Sequence, residues 1–193
     1  MPDKHLYIIA GCNGAGKTTA SYTILPEILN CKEFVNADQI ASGLSPFQPE
    51  KAALEAGRIM LQRIDHLLAS GADFAFETTL STRSYVNKIK EAQAKGYFVT
   101  ILFFWLESIT LAKERVEMRV SEGGHNIPAD VIERRYKRGI NNLFNLYMPV
   151  CDKTMLLENS HETPIFVMKQ FQGQEPQIFS QSLLDQIKSL GNG

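Results

Sequence analysis

Eight residues near the start of the chain, Gly11-Cys12-Asn13-Gly14-Ala15-Gly16-Lys17-Thr18, follow the pattern G-x-x-x-x-G-K-[ST], the P-loop. Each residue type has a task in holding a polyphosphate. The glycines let successive backbone N–H groups turn inward with no Cβ in the way, forming a nest for a β-phosphate. A lysine in this place reaches the β- and γ-phosphates, and a threonine hydroxyl ligates Mg²⁺. A helix starting here points its positive end at the same anion. The pattern arises by chance about once per hundred chains of this length. Here it also directly follows an apolar run, Leu6-Tyr7-Ile8-Ile9-Ala10, and precedes a helical stretch. Gly11, Asn13, Gly14, Ala15, Gly16, Lys17, Thr18 and Thr19 are therefore the candidate ATP-binding residues. Thr18 is the candidate Mg²⁺ ligand, and ATP and Mg²⁺ are the implied cofactors. Cys12 reads as a small filler facing the sheet rather than as a redox switch.

Phosphoryl transfer to an alcohol also needs a carboxylate near the acceptor hydroxyl and cations on the transferred group. Asp38, in Asn36-Ala37-Asp38, and Glu77, in Phe76-Glu77-Thr78-Thr79, each follow an apolar strand-like run. In a doubly wound sheet the ligand lies outside the carboxyl ends of the strands, so both acids are expected to face the P-loop. Asp38 is assigned as base and orienter of the acceptor; Glu77 and Thr79 are assigned to the acceptor hydroxyls or to the water shell of the metal. Further on, Arg115 and Arg119 share a helix face, and Arg134, Arg135, Lys137 and Arg138 crowd the next helix. Arginines in that position make a charge clamp on the β- and γ-phosphates; Arg119 and Arg135 are chosen, with Arg134 and Arg115 as neighbours able to substitute. Gly123-Gly124 supplies a flexible turn, and His125 beside it either touches phosphate or holds the turn. A guanine reader N-K-x-D is missing, and the transporter signature has no proper counterpart, which leaves the small-kinase arrangement.

The elements that must position these groups alternate along the chain. Strands are expected at Leu6–Ala10, Glu33–Asn36, Phe74–Phe76, Tyr97–Leu106, Met155–Leu157 and Ile165–Met168. Helices are expected over 17–25, stopped by Pro26, over 51–69 with a stripe of Met60, Leu61, Ile64, Leu67 and Leu68, and over 82–95 capped by Ser81. A helical pair over 108–121 and 129–146 follows the fourth strand, and a last helix covers 182–190. The fold class is α/β: a P-loop NTPase fold with a parallel sheet, helices on both faces and a helical lid, about 108–146, after the fourth strand. All 193 residues are read as one domain.

Composition narrows the partners. Twenty basic against 21 acidic residues leave a net charge of −1, which argues against a nucleic-acid partner. Three scattered cysteines fit neither a disulfide scaffold nor a zinc ribbon and suit a reducing cytosol. The longest apolar run, Tyr97 to Leu106, is about half of a membrane span. The chain is expected to be a soluble, cytoplasmic, P-loop phosphotransferase acting on a small-molecule hydroxyl.

Taken together, the P-loop, Asn36-Ala37-Asp38, Phe76-Glu77-Thr78-Thr79-Leu80, Arg119, Gly123-Gly124-His125-Asn126-Ile127-Pro128, Arg134-Arg135-Tyr136 and Glu158-Asn159-Ser160 resemble the zeta-toxin family of P-loop kinases. The resemblance covers roughly residues 6–160 and leaves 161–193 outside it. It implies transfer of phosphate from ATP to the 3′-hydroxyl of the sugar in UDP-N-acetylglucosamine, and a small helical antitoxin as protein partner. By motif it makes Asp38 the catalytic base, has Glu77 and Thr79 hold the sugar, sets Arg119 and Arg135 on the γ-phosphate, and adds Arg134 and Asn159 to the ATP side. Two rival readings keep the same scaffold: a nucleoside or antibiotic phosphotransferase, and a nucleotide-binding toxin–antitoxin module without turnover.

Overall fold

A computed structural model describes residues 4–124 and 126–191. Seven strands form one sheet: β1 (Lys4–Gly11), β2 (Glu33–Val35), β3 (Phe74–Thr78), β4 (Tyr97–Trp105), β5 (Lys153–Glu158), β6 (Ile165–Phe171) and β7 (Gln177–Ile178). Their spatial order is β2-β3-β1-β4-β5-β6-β7. The first five pair in parallel, and β1 and β4 are apolar and buried along nearly their whole length, as strands covered on both faces must be. The sheet is not wholly parallel, as the sequence suggested. β6 returns antiparallel to β5, and β7 antiparallel to β6. The reason is the short connection over 159–164: a parallel return needs a crossover of a dozen or more residues.

The helices are α1 (Lys17–Thr23), α2 (Ala37–Leu44), α3 (Pro49–Ser70), α4 (Tyr85–Ala94), α5 (Ile109–Ser121), α6 (Ala129–Asn142) and α7 (Gln181–Gly191). Three expectations about them need correction. Pro26 does not stop the first helix, because α1 widens into a π-helical turn over Ile24–Ile28 that accommodates the proline. In α3 the buried stripe is Ala52, Ala56, Met60, Ile64, Leu67 and Leu68, while Leu61 is exposed on the next face. Ser81 caps nothing; α4 starts later, after Ser84, and the Ser81 hydroxyl lies 2.9 Å from that of Thr79.

The α5–α6 pair follows the fourth strand as expected, and it is anchored in the core. Ala112, Val116, Ile132, Tyr136 and Ile140 are buried, and the Tyr136 hydroxyl donates to the Leu106 carbonyl at 2.6 Å. Side chains the size of Val116, Ile132 and Ile140 each contribute about 1.5–3 kcal/mol when fully buried. His125, in the turn between the two helices, lies outside the described residues.

By contrast, α2 packs mainly on the first half of α3, whose second half buries Met60, Ile64, Leu67 and Leu68 in the main core. The contact between α2 and α3 is a separate small cluster of Ala41, Ala52 and Ala56 with Ile40. β2 itself joins the sheet through three residue pairs, Glu33–Phe74, Phe34–Ala75 and Val35–Phe76. Among the described residues no helix is long and apolar enough to cross a membrane.

Candidate functional site

The site lies where β1, β2 and β3 end. β1 runs into the P-loop, whose Gly14 and Gly16 have φ of 79° and 74°. At Gly16 a Cβ would stand 2.7 Å from the Asn159 amide nitrogen, so only glycine lets that side chain approach. Asn159 donates to the Ala15 carbonyl at 2.8 Å, pinning the back of the loop from the end of β5. Lys17 is 5 % exposed; its ammonium donates to the Cys12 carbonyl at 2.9 Å and pairs with Glu77 at 3.4 Å. Burial pushes the Cys12 thiol up to about 11, so it stays protonated at neutral pH.

Glu77 stands at the centre. Its Oε2 accepts from the Thr18 hydroxyl at 2.7 Å and from the Asn36 amide at 2.8 Å, while Oε1 faces Lys17. The Asn36 oxygen accepts from the backbone N–H groups of Asp38 (2.8 Å) and Gln39 (3.3 Å), capping α2. The cap is thus Asn36, and Asp38 is free of that duty, an exposed carboxylate in the first turn of α2. Thr79 reaches the same region from the end of β3.

Two adjoining cavities share Asn13, Lys17, Asp38 and Glu77. One, of about 240 Å³, runs over the P-loop from Asn13 to Thr19 and is bounded by Arg115 and Arg119. The other, of about 220 Å³, is walled by the hydroxyl-bearing Thr78, Thr79, Ser81, Thr82 and Tyr85, with Arg135 at its rim. Arg135 donates to the Asn13 side chain at 3.2 Å; burial lowers its pKa, an effect opposed by the nearby Asp38 carboxylate. Arg115 donates to the Asn159 and Ser160 carbonyls at 2.8 and 2.6 Å. Arg134 is exposed on α6 and lines neither cavity. The structure therefore brings Lys17, Thr18, Thr19, Asp38, Glu77, Thr79, Arg119 and Arg135 around one divided cavity, with Gly11 and Asn159 behind it.

Sequence reasoning missed the residues that shape the second cavity. Leu80 is fully buried with a φ of 54°, a conformation that costs a non-glycine residue about 1–3 kcal/mol. It is held by the Thr78 hydroxyl on its N–H (3.1 Å) and by Asn142 of α6 on its carbonyl (2.7 Å). Tyr147 adds a bond to the Thr82 carbonyl at 2.6 Å. Gly139 passes so close that a Cβ there would lie 2.6 Å from the Thr79 carbonyl. No local signal marks these positions, since each depends on a partner some sixty residues away.

The model of the zeta toxin family matches residues 45–163, more than half of the chain. The chain belongs to the zeta toxin family. The matched span begins after the P-loop and Asp38 and takes in Glu77, Thr79, the arginines of α5 and α6, and Asn159. An uncharacterized protein of Haemophilus influenzae is 28% identical over 136 residues, 70% of this chain and 94% of that protein. Among solved structures, AvrRxo1-ORF1 in complex with AvrRxo1-ORF2 superposes with a TM-score of 0.78 at 18% identity over 97% of this chain. This chain spans 64% of that longer one, which has also been solved with ATP. The PezAT toxin–antitoxin system of Streptococcus pneumoniae gives a TM-score of 0.63 at 15% identity, covering 98% of this chain and 86% of that one. At these identities the likeness is one of fold. The P-loop after β1, the mostly parallel sheet and the family match agree on a P-loop NTPase fold.

Proposed function

We propose that this zeta toxin family member transfers the γ-phosphate of ATP to a hydroxyl of a small molecule, with UDP-N-acetylglucosamine as the first acceptor to test. The observation that carries the proposal is the divided cavity: a phosphate cradle on one side, a hydroxyl-rich wall on the other, and Asp38 and Glu77 on the partition.

ATP and Mg²⁺ both fit the residues present. The loop from Asn13 to Thr19 lines a cavity whose backbone turns inward at Gly14 and Gly16, as a phosphate nest requires. The Thr18 hydroxyl beside the Glu77 carboxylate is an oxygen donor set suited to a hard cation that keeps most of its water. Mg²⁺, when bound, neutralises charge on the β- and γ-phosphates.

Lys17 and Arg135, with Arg119 from the far wall, stabilise charge on the transferred group. Asp38 accepts the proton of the acceptor hydroxyl as its oxygen bonds to the γ-phosphorus and the bond to the β-phosphate oxygen breaks, releasing ADP. Thr79 and its neighbours orient the acceptor by hydrogen bonds. The wide depression bounded by Arg115 and residues 160–163 adjoins the P-loop cavity and gives the base of the nucleotide room to lie. A small helical antitoxin is proposed as protein partner, in keeping with the two-protein assemblies in which the structural neighbours were solved.

The test is ATP consumption over a panel of hydroxyl acceptors, with Lys17→Ala as blank. Acceptor-dependent ADP release that the blank lacks is the expected outcome. Nucleotide binding without acceptor-dependent release from any member of the panel would favour the module without turnover.

A further inference from the structure

Asp38 rides on α2, a helix that gives the main core no fully buried side chain and meets it through the partly buried Ala37 and Ile40. α2 packs through a small alanine cluster on the first half of α3 and follows directly on β2, a three-residue edge strand. Phosphoryl transfer demands placement of the base to within a fraction of an ångström of the acceptor hydroxyl, so something must register this arm against the P-loop.

We infer that Asn36 is the positioning residue that does so, a tether between the helix carrying Asp38 and the phosphate-binding centre. The inference rests on the proposed role of Asp38 and adds to it. Asn36 is 5 % exposed and sits at the junction of β2 and α2. Its amide works in two directions. The oxygen accepts from the N–H groups of Asp38 and Gln39, fixing the first turn of α2. The nitrogen donates to Glu77 Oε2 at 2.8 Å and lies 3.4 Å from the Thr18 hydroxyl. Glu77 in turn holds Lys17 and Thr18. A continuous chain of polar contacts therefore runs from the backbone of Asp38 through the side chains of Asn36 and Glu77 to both functional residues of the P-loop.

Only an amide suits both ends. Capping needs an acceptor, which serine or aspartate also provides, but reaching Glu77 needs a donor at the far end of the side chain. An aspartate would set two carboxylates against each other, and a serine is too short to bridge. The two duties can therefore be separated by substitution.

Asn36→Ser keeps a good cap and removes the tether; Asn36→Ala removes both. For Asn36→Ser the expected results are a Tm within a few degrees of the parent, ADP affinity without added metal unchanged within twofold, and kcat reduced at least tenfold. Amide hydrogen exchange over residues 37–44 should also be at least tenfold faster than in the parent. Asn36→Ala adds a loss of Tm. An Asn36→Ser protein with parental kcat and parental exchange over α2 overturns the tether. The role of Asp38 fails separately. If Asp38→Ala retains full transfer while Asn36→Ser still accelerates exchange over 37–44, the tether stands and the assignment of the base falls.

Discussion

The two sides of the divided cavity are built to different standards. On the nucleotide side the P-loop is fastened from several directions: Lys17 to the Cys12 carbonyl, Asn159 to the Ala15 carbonyl and Arg135 to Asn13, with β1 buried behind it. On the proposed acceptor side Asp38 is exposed on α2, which packs through a small alanine cluster, and the β3–α4 loop keeps its strained Leu80 through the Thr78 hydroxyl and Asn142 of α6. Polyphosphate recognition is common to every ATP-dependent transfer, so a rigid site for it can be inherited unchanged. Acceptor recognition differs from one reaction to the next and sits on parts that can be altered without disturbing the cradle.

The contrast is broken or upheld first at its two largest points. Lys17→Ala should abolish transfer and weaken nucleotide binding together, because a fastened cation serves both ground and transition states. Asp38→Ala should lose about 10²–10⁴-fold in kcat, the usual contribution of a general base, while nucleotide affinity measured by calorimetry stays within twofold. Equal losses of ATP affinity in both variants would erase the distinction between the two sides.

The arginines sharpen the comparison at a smaller scale. Arg135 is half-buried, lines the second cavity, lies in the field of Asp38 and touches Asn13, which both cavities share. Arg135→Ala is expected to lower kcat about 10²–10³-fold, as for loss of one preorganised charge-stabilising group. Arg134→Ala, on the exposed face of the same helix, should change kcat less than threefold. A reversal of that order would mean that α6 rotates before transfer.

These tests also measure what could be read in advance. The P-loop was legible because its chemistry is local: eight consecutive residues contain the nest, the cation and the hydroxyl. The parallel strands were legible because β1 and β4 are apolar along their length. Asp38 and Glu77 were found as acids at strand ends, but their relation was not, since it passes through the side chain of Asn36. The antiparallel β6 was missed although the short connection over 159–164 forbids a crossover. The start of α4 was misplaced because Ser81 resembles a cap, whereas residues 79–82 are pulled into a loop by Asn142 and Tyr147. Periodicity reports how a segment relates to itself; it is silent about partners sixty residues away.

That loop offers a test confined to the acceptor side. Gly139→Ala gains helix propensity, worth up to about 1 kcal/mol, but its Cβ would press on the Thr79 carbonyl. The backbone of Thr79 must then shift. The expected result is an acceptor KM raised several-fold with the KM for ATP unchanged, read from initial rates with each substrate varied in turn. A matching rise in both would show that α6 transmits the displacement to Asn13 and that the two sides are less separate than their construction suggests.

The smallest expected effect is on the nucleotide side, and its size is the point. Cys12 lies within the P-loop, where a reactive thiol would make the cradle sensitive to oxidants. Burial raises its pKa to about 11 in spite of the opposing pull of Lys17 and Arg115, and its side chain is packed in the core. At pH 8 on the order of one thiol in a thousand would be ionised, and that one has little access to reagent. Iodoacetamide at pH 8 should therefore leave Cys12 of the native protein unmodified, by peptide mass mapping, over a period that fully alkylates the unfolded chain. Nucleotide affinity should be parental after the treatment. Reactivity rises only as the pH approaches the raised pKa or as the loop opens, so modification of Cys12 at pH 8 would report opening. If it proceeded at a rate comparable with the exchange of α2 amides, the cradle would be as mobile as the arm that carries Asp38, and the division of the cavity into a fixed half and an adjustable half would not hold.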